Sequence, residues 1–91
     1  MPERGRQPAL ADSPPSEDRL TDYDQAHLPD YLRLLDADRE AAPWTEVVRI
    51  VLGIDPAREP ERARQVYKSH LARARWIAGH GYRDILRGTR P

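Results

Sequence analysis

The sequence predicts an all-α fold, and three observations carry that prediction. Apolar residues recur at three- and four-residue intervals in separate stretches, which is the period of a helix face. No stretch of useful length alternates polar and apolar residues as a half-buried strand would. Ala, Leu, Arg and Glu are abundant, and only five of the 91 residues are glycine. Four to five helices are expected over residues 20–88, behind a disordered tail over residues 1–19.

The tail is expected because four of the nine prolines fall in the first fifteen residues, and Leu10 is the only large aliphatic side chain after the initiating Met. Such a segment buries too little apolar surface to offset its ordering entropy. Thr21-Asp22-Tyr23-Asp24 then has the spacing of a capping box, with an acid three positions after the cap. Pro29 either opens the main helix or kinks one that began near Asp22. Beyond it Leu28, Tyr31, Leu32 and Leu35 recur as one stripe, which places Leu34 on the opposite side beside Asp30, Asp38 and His27.

Pro43, Trp44 and Thr45 start a second, short helix whose face holds Trp44, Val47, Ile50 and Val51 and which Gly53 ends. Asp55 before Pro56 suits the cap of a single turn, and Pro60 suits the first position of a third helix reaching Ala78. On that helix Ala63 centres a buried face with Val66, Tyr67, His70, Ala74 and Ile77. Arg64, Lys68 and Arg75 line one flank, and Arg62 and Arg73 the other. Trp76 falls on the outer arc, where it either packs on a neighbouring element or binds something as an exposed aromatic. Gly79 is expected to stop the helix, with Tyr82, Ile85 and Leu86 of a short final helix closing the core.

Composition excludes several functions. A domain of this size holds either a core or a sizeable substrate cleft. With no cysteine there is no disulfide, thiolate zinc site or thiol nucleophile. His27, His70 and His80 have no second ligand at helical spacing, and His70 sits on the buried stripe as a structural histidine. Serines 13, 16 and 69 fit no acyl-transfer set. The reading is therefore a non-enzyme without metal or cofactor. No apolar run approaches a membrane span, and the N-terminus lacks the apolar core of a secretory signal, so a soluble, cytoplasmic protein is expected.

Net charge is zero, with fifteen bases and fifteen acids, yet the charges are segregated. Leu20 to Trp44 carries six acids and two bases, whereas Glu61 to Pro91 carries eight bases and two acids. Either these are solvated faces that neutralise each other on folding, or they form one surface for a basic or polar partner and another for phosphate. A short helix joined by a turn to a long basic one has the outline of a helix-turn-helix variant with an extended turn, since Gly53 to Glu59 exceeds the usual length. If it binds DNA, Arg62, Arg64, Lys68, Arg73 and Arg75 are the residues that face the groove.

The strings Leu20-Thr-Asp-Tyr-Asp, Tyr31-Leu-Arg-Leu-Leu-Asp-Ala, Trp44-Thr-Glu-Val-Val-Arg-Ile-Val-Leu-Gly-Ile-Asp-Pro, His70-Leu-Ala-Arg-Ala-Arg-Trp and His80-Gly-Tyr-Arg-Asp-Ile-Leu-Arg resemble the family catalogued as domain of unknown function 2285. The resemblance implies an extended-turn helix-turn-helix domain carried on bacterial integrative and conjugative elements. Transcriptional activators of conjugative transfer carry it behind an N-terminal partner domain, which this chain is expected to lack. Similarity to the stand-alone members implies an antiactivator that occupies the activator's N-terminal domain, with a quorum-sensing regulator as a further candidate partner. A monomer with weak or no DNA affinity is expected. The expected partner contacts are Asp30, Leu34 and Asp38 on the first helix, with Trp76 and Tyr82 as aromatic anchors. The alternative is a DNA-binding regulator that uses the basic third helix.

Overall fold

Thr21 sets the first helix. A computed structural model describes residues 10–81, among which every regular element is helical. The Thr21 Oγ1 accepts from the Asp24 N–H at 3.2 Å, and the Asp24 carboxylate accepts from the Thr21 N–H at 2.9 Å. The capping box thus opens α1 (Asp22–Ala26) as its spacing predicts. The chain turns at His27 and enters α2 (Leu28–Arg39) with Pro29 in the first turn, where its missing N–H costs nothing.

Helix α2 is rolled by about one residue from the predicted stripe. Its buried arc is His27, Asp30, Tyr31 and Leu34, so Leu34 is 1% exposed and the expectation of a surface leucine is corrected. Leu32, placed in the predicted core stripe, is 63% exposed. The cause is polar: His27 and Asp30 bond each other and can therefore be buried, so they replace two apolar positions on the inward face. The helix ends in a Schellman motif, with the Ala42 N–H on the Ala37 carbonyl and the Ala41 N–H on that of Asp38. Ala41 occupies the left-handed position, at φ 58°, where glycine is usual.

Helix α3 (Trp44–Val47) continues without a break into a π-wound turn, Val48–Leu52, before Gly53 ends it at φ 70°. The extra residue per turn carries Val48 and Leu52 into the core and leaves Ile50 76% exposed, off the face predicted for it. In the connection Asp55 accepts from the Ala57 N–H with its side chain and from the Arg58 and Glu59 N–H groups with its carbonyl, the single capped turn expected there. Pro60 begins α4 (Pro60–Trp76), which also runs on as a π turn, Ile77–Gly81. Gly79 therefore does not stop it.

Helix α4 lies chiefly along α2, and both touch the π turn of α3. Ala63 and Ala74, both fully buried, let the helices approach, while Val66, Leu71 and Ile77 interleave with Tyr31, Leu34, Val48 and Leu52. Residues 10–19 carry no helix or strand, but they lie on the domain. Leu10 and Leu20 pack at the core margin, and the Ala11 N–H donates to the Tyr23 hydroxyl at 3.0 Å. Residues 1–9 of the expected tail and the expected helix at Tyr82–Leu86 lie outside the described residues. No helix among the described residues is long and apolar enough to cross a membrane.

Candidate functional site

The basic residues of α4 are the natural starting point, and the fold divides them. Arg73 is 6% exposed and grips Asp24 in two bonds, Nε to Oδ1 at 3.1 Å and Nη2 to Oδ2 at 2.7 Å. Its remaining N–H groups reach the carbonyls of Glu17 at 2.8 Å and Arg19 at 2.9 Å, and its guanidinium lies 4.3 Å from the Trp76 ring centre. Asp24 also accepts from the Tyr31 hydroxyl at 2.9 Å. Burial alone would raise the Asp24 carboxyl, but the bonds from Arg73, Thr21 and Tyr31 outweigh it and hold its pKa below the ordinary value. The same Asp24 bond raises Arg73, and burial together with Asp24 pushes the Tyr31 hydroxyl well up. A bidentate, desolvated pair of this kind clamps the chain entering α1 to the last turn of α4.

Two histidines adjoin this clamp. The Nδ1 of His70 lies 2.9 Å from the Val66 carbonyl, which only accepts, so Nδ1 carries the proton and Nε2 accepts from the Tyr23 hydroxyl at 2.6 Å. Burial lowers the His70 pKa against the opposing pull of the Val66 carbonyl, so the neutral ring is favoured. His70 is the structural histidine expected from its stripe. His27 bonds Asp30 through Nδ1 at 3.2 Å, and its buried Nε2 has no hydrogen-bond partner among the described residues. Among the described residues no group of three His, Cys, Asp or Glu side chains could hold a metal ion.

The outer bases are divided as well. Arg62 bonds Asp12 at 2.9 Å and Glu59 at 3.1 Å, and Arg75 bonds Asp38 on α2 at 2.7 Å. Three of the five residues expected to form a phosphate-facing surface therefore already hold carboxylates, two of these from the acidic half of the chain. Arg64 and Lys68 make no ion pair or hydrogen bond among the described residues. They flank a shallow cleft of about 200 Å³ with Trp44 and Tyr67. The Arg64 guanidinium sits 5.1 Å from the Trp44 ring centre, and the two aromatic rings stand 6.1 Å apart, tilted by 41°.

The expected protein-contact residues do not form one surface. Asp30 and Leu34 are buried, Asp38 is exposed but paired with Arg75, and Trp76 is half-buried beside Arg73. Tyr82 lies outside the described residues. The rolled α2 instead turns Leu28, Leu32 and Leu35 toward a groove of about 350 Å³ that Ile77 and Ala78 close on the α4 side. Sequence reasoning missed the Asp24–Arg73 clamp, whose one signal was that Arg73 adjoins Ala74 at the edge of the predicted buried face. It did place Arg64 and Lys68 on a common flank. A scan of protein-family models finds none that matches this chain, and no curated protein matches it.

Proposed function

We propose that the protein is an antiactivator: it binds the N-terminal domain of a transcriptional activator of conjugative transfer inside the bacterial cell and blocks activation by protein contact, without catalysis. The observation that carries this reading over DNA binding is the neutralisation of Arg62, Arg73 and Arg75 by Asp12, Glu59, Asp24 and Asp38. A helix that docks on phosphates needs a row of cations free to displace counterions, and each one lost weakens affinity. Arg64 and Lys68 alone make a short row. The resemblance of the strings between Leu20 and Arg87 to conjugative-element regulators supplies the partner class. Pairing these cations inside the chain withholds them from DNA while leaving the helical framework intact for a protein partner.

The test measures binding of the purified chain to the activator's N-terminal domain and, in parallel, to promoter and random duplex DNA at low salt. Binding to the protein domain, with little retention of either duplex, is the expected result. Tight, steeply salt-dependent duplex binding with no affinity for the domain overturns the reading in favour of a DNA-binding regulator.

A further inference from the structure

The cleft between α3 and α4 is the one place among the described residues where two cations of α4 stand unpaired beside aromatic rings. We infer that Trp44, Arg64, Tyr67 and Lys68 form a docking site for an acidic segment of a protein partner, one that presents two carboxylates about a helical turn apart. This deepens the antiactivator reading by naming the chemistry its partner offers, and it rests on that reading only for the partner's identity.

The spacing of the cations sets the spacing of the ligand. Arg64 and Lys68 are four residues apart on one helix, so their Cβ atoms are roughly 5–6 Å apart and their charges point the same way. Two carboxylates at the same interval on a partner helix lying across α4 match them. The Arg64 guanidinium carbon lies 5.1 Å from the Trp44 ring centre, and a guanidinium resting on an aromatic ring still has N–H groups to offer a carboxylate. The rings add an apolar floor for the aliphatic stem of a Glu or for a neighbouring Leu.

The same geometry disfavours a nucleic acid in this cleft. Base stacking needs an open ring face, but Trp44 is half-buried with Arg64 already over it, and Tyr67 is half-buried against Trp44. A volume of about 200 Å³ takes one or two side chains and falls below the usual size of a small-molecule pocket. The α4 cations before and after them in the chain, Arg62 and Arg75, are held by carboxylates, so α4 itself extends no row of free cations from the site.

A labelled, end-blocked helical peptide of about fifteen residues, with two Glu four positions apart around a Leu, tests the inference by fluorescence anisotropy against the full chain. The expected affinity falls as salt is raised, and it drops about fivefold when both Glu are replaced by Gln. The double variant Arg64→Glu, Lys68→Glu is expected to lose about tenfold or more, and a peptide carrying two Lys in place of the two Glu is expected to recover binding to that variant. Both side chains are exposed, so unchanged far-UV circular dichroism confirms that the fold is retained. Equal binding of the Glu and Gln peptides, an unaffected double variant, or tighter binding of a random duplex than of the Glu peptide each overturns the inference. The activator's N-terminal domain separates the two claims. If it binds the wild-type chain and the double variant equally, the docking site is wrong and the antiactivator reading stands; if it binds neither while the Glu peptide behaves as expected, the site stands and that reading falls.

Discussion

Arg73 and Arg64 lie on the same helix, nine residues apart, and their surroundings are opposite. Arg73 is enclosed, with Asp24, two backbone carbonyls and Trp76 around its guanidinium, while Arg64 is exposed, with one aromatic face beneath it and no carboxylate in reach among the described residues. Removing one member of a desolvated pair strands the other charge, whereas an exposed cation is already solvated. The comparison teaches that a basic helix is no single electrostatic object. Arg73 in the last turn of α4 uses its charge to hold the domain together, while Arg64 nearer the other end keeps its charge at the surface.

The largest effect expected from that contrast is on stability. Arg73→Ala should cost about 3–5 kcal/mol in denaturant unfolding, because Asp24 is left buried and ionised, while Arg64→Ala should stay within about 0.5 kcal/mol. Similar losses for the two variants would break the comparison.

A pH titration sharpens it. The folded pKa of His70 lies below its unfolded value of about 6.5, so its contribution is complete above that pH and is lost as pH falls through the folded value. The unfolding midpoint should drop as pH is lowered from about 7 to 5, and His70→Gln should flatten that drop. The groups facing His70 are Tyr23 on α1, Tyr31 on α2, and the more distant His27, Asp30 and Asp12. Asp24, whose folded pKa is depressed, loses its contribution only below about pH 4, so the two windows separate. A flat profile between pH 7 and 5 in the parent chain would contradict the neutral, buried assignment of His70.

The smallest effect concerns helix ends, where no charge is involved. Ala41 holds a left-handed conformation at the end of α2, so Ala41→Gly should stabilise the chain by about 0.5–1 kcal/mol in the same denaturant assay. A loss on that change would show that the flexibility added to the unfolded chain outweighs the strain removed from the folded one.

Much of the framework is legible because it is local. The capping box at Thr21, the turn at Asp55, the stop at Gly53 and the start at Pro60 each depend on residues within about four positions, and all four stand where the spacing predicts. The buried face of α4 around Ala63 and Ala74 follows from periodicity for the same reason. The face of α2 was misread because His27 and Asp30 look like surface residues until each is seen to bond the other. The face of α3 was misread because periodicity assumes α winding, and Val48–Leu52 is wound more widely.

The sequence by itself determined that the chain is helical, where its helices begin, and that its acids and bases lie in separate halves. Tertiary structure decided which of those charges meet. Asp24 and Arg73 are 49 residues apart, Arg75 and Asp38 are 37 apart, and Arg62 and Asp12 are 50 apart. No local rule links such positions. A charge is neutralised by what lies within a few ångströms in space, and only the packing of α2 against α4 and of residues 10–19 against both α1 and α4 brings those partners together, leaving Arg64 and Lys68 open beside Trp44 and Tyr67.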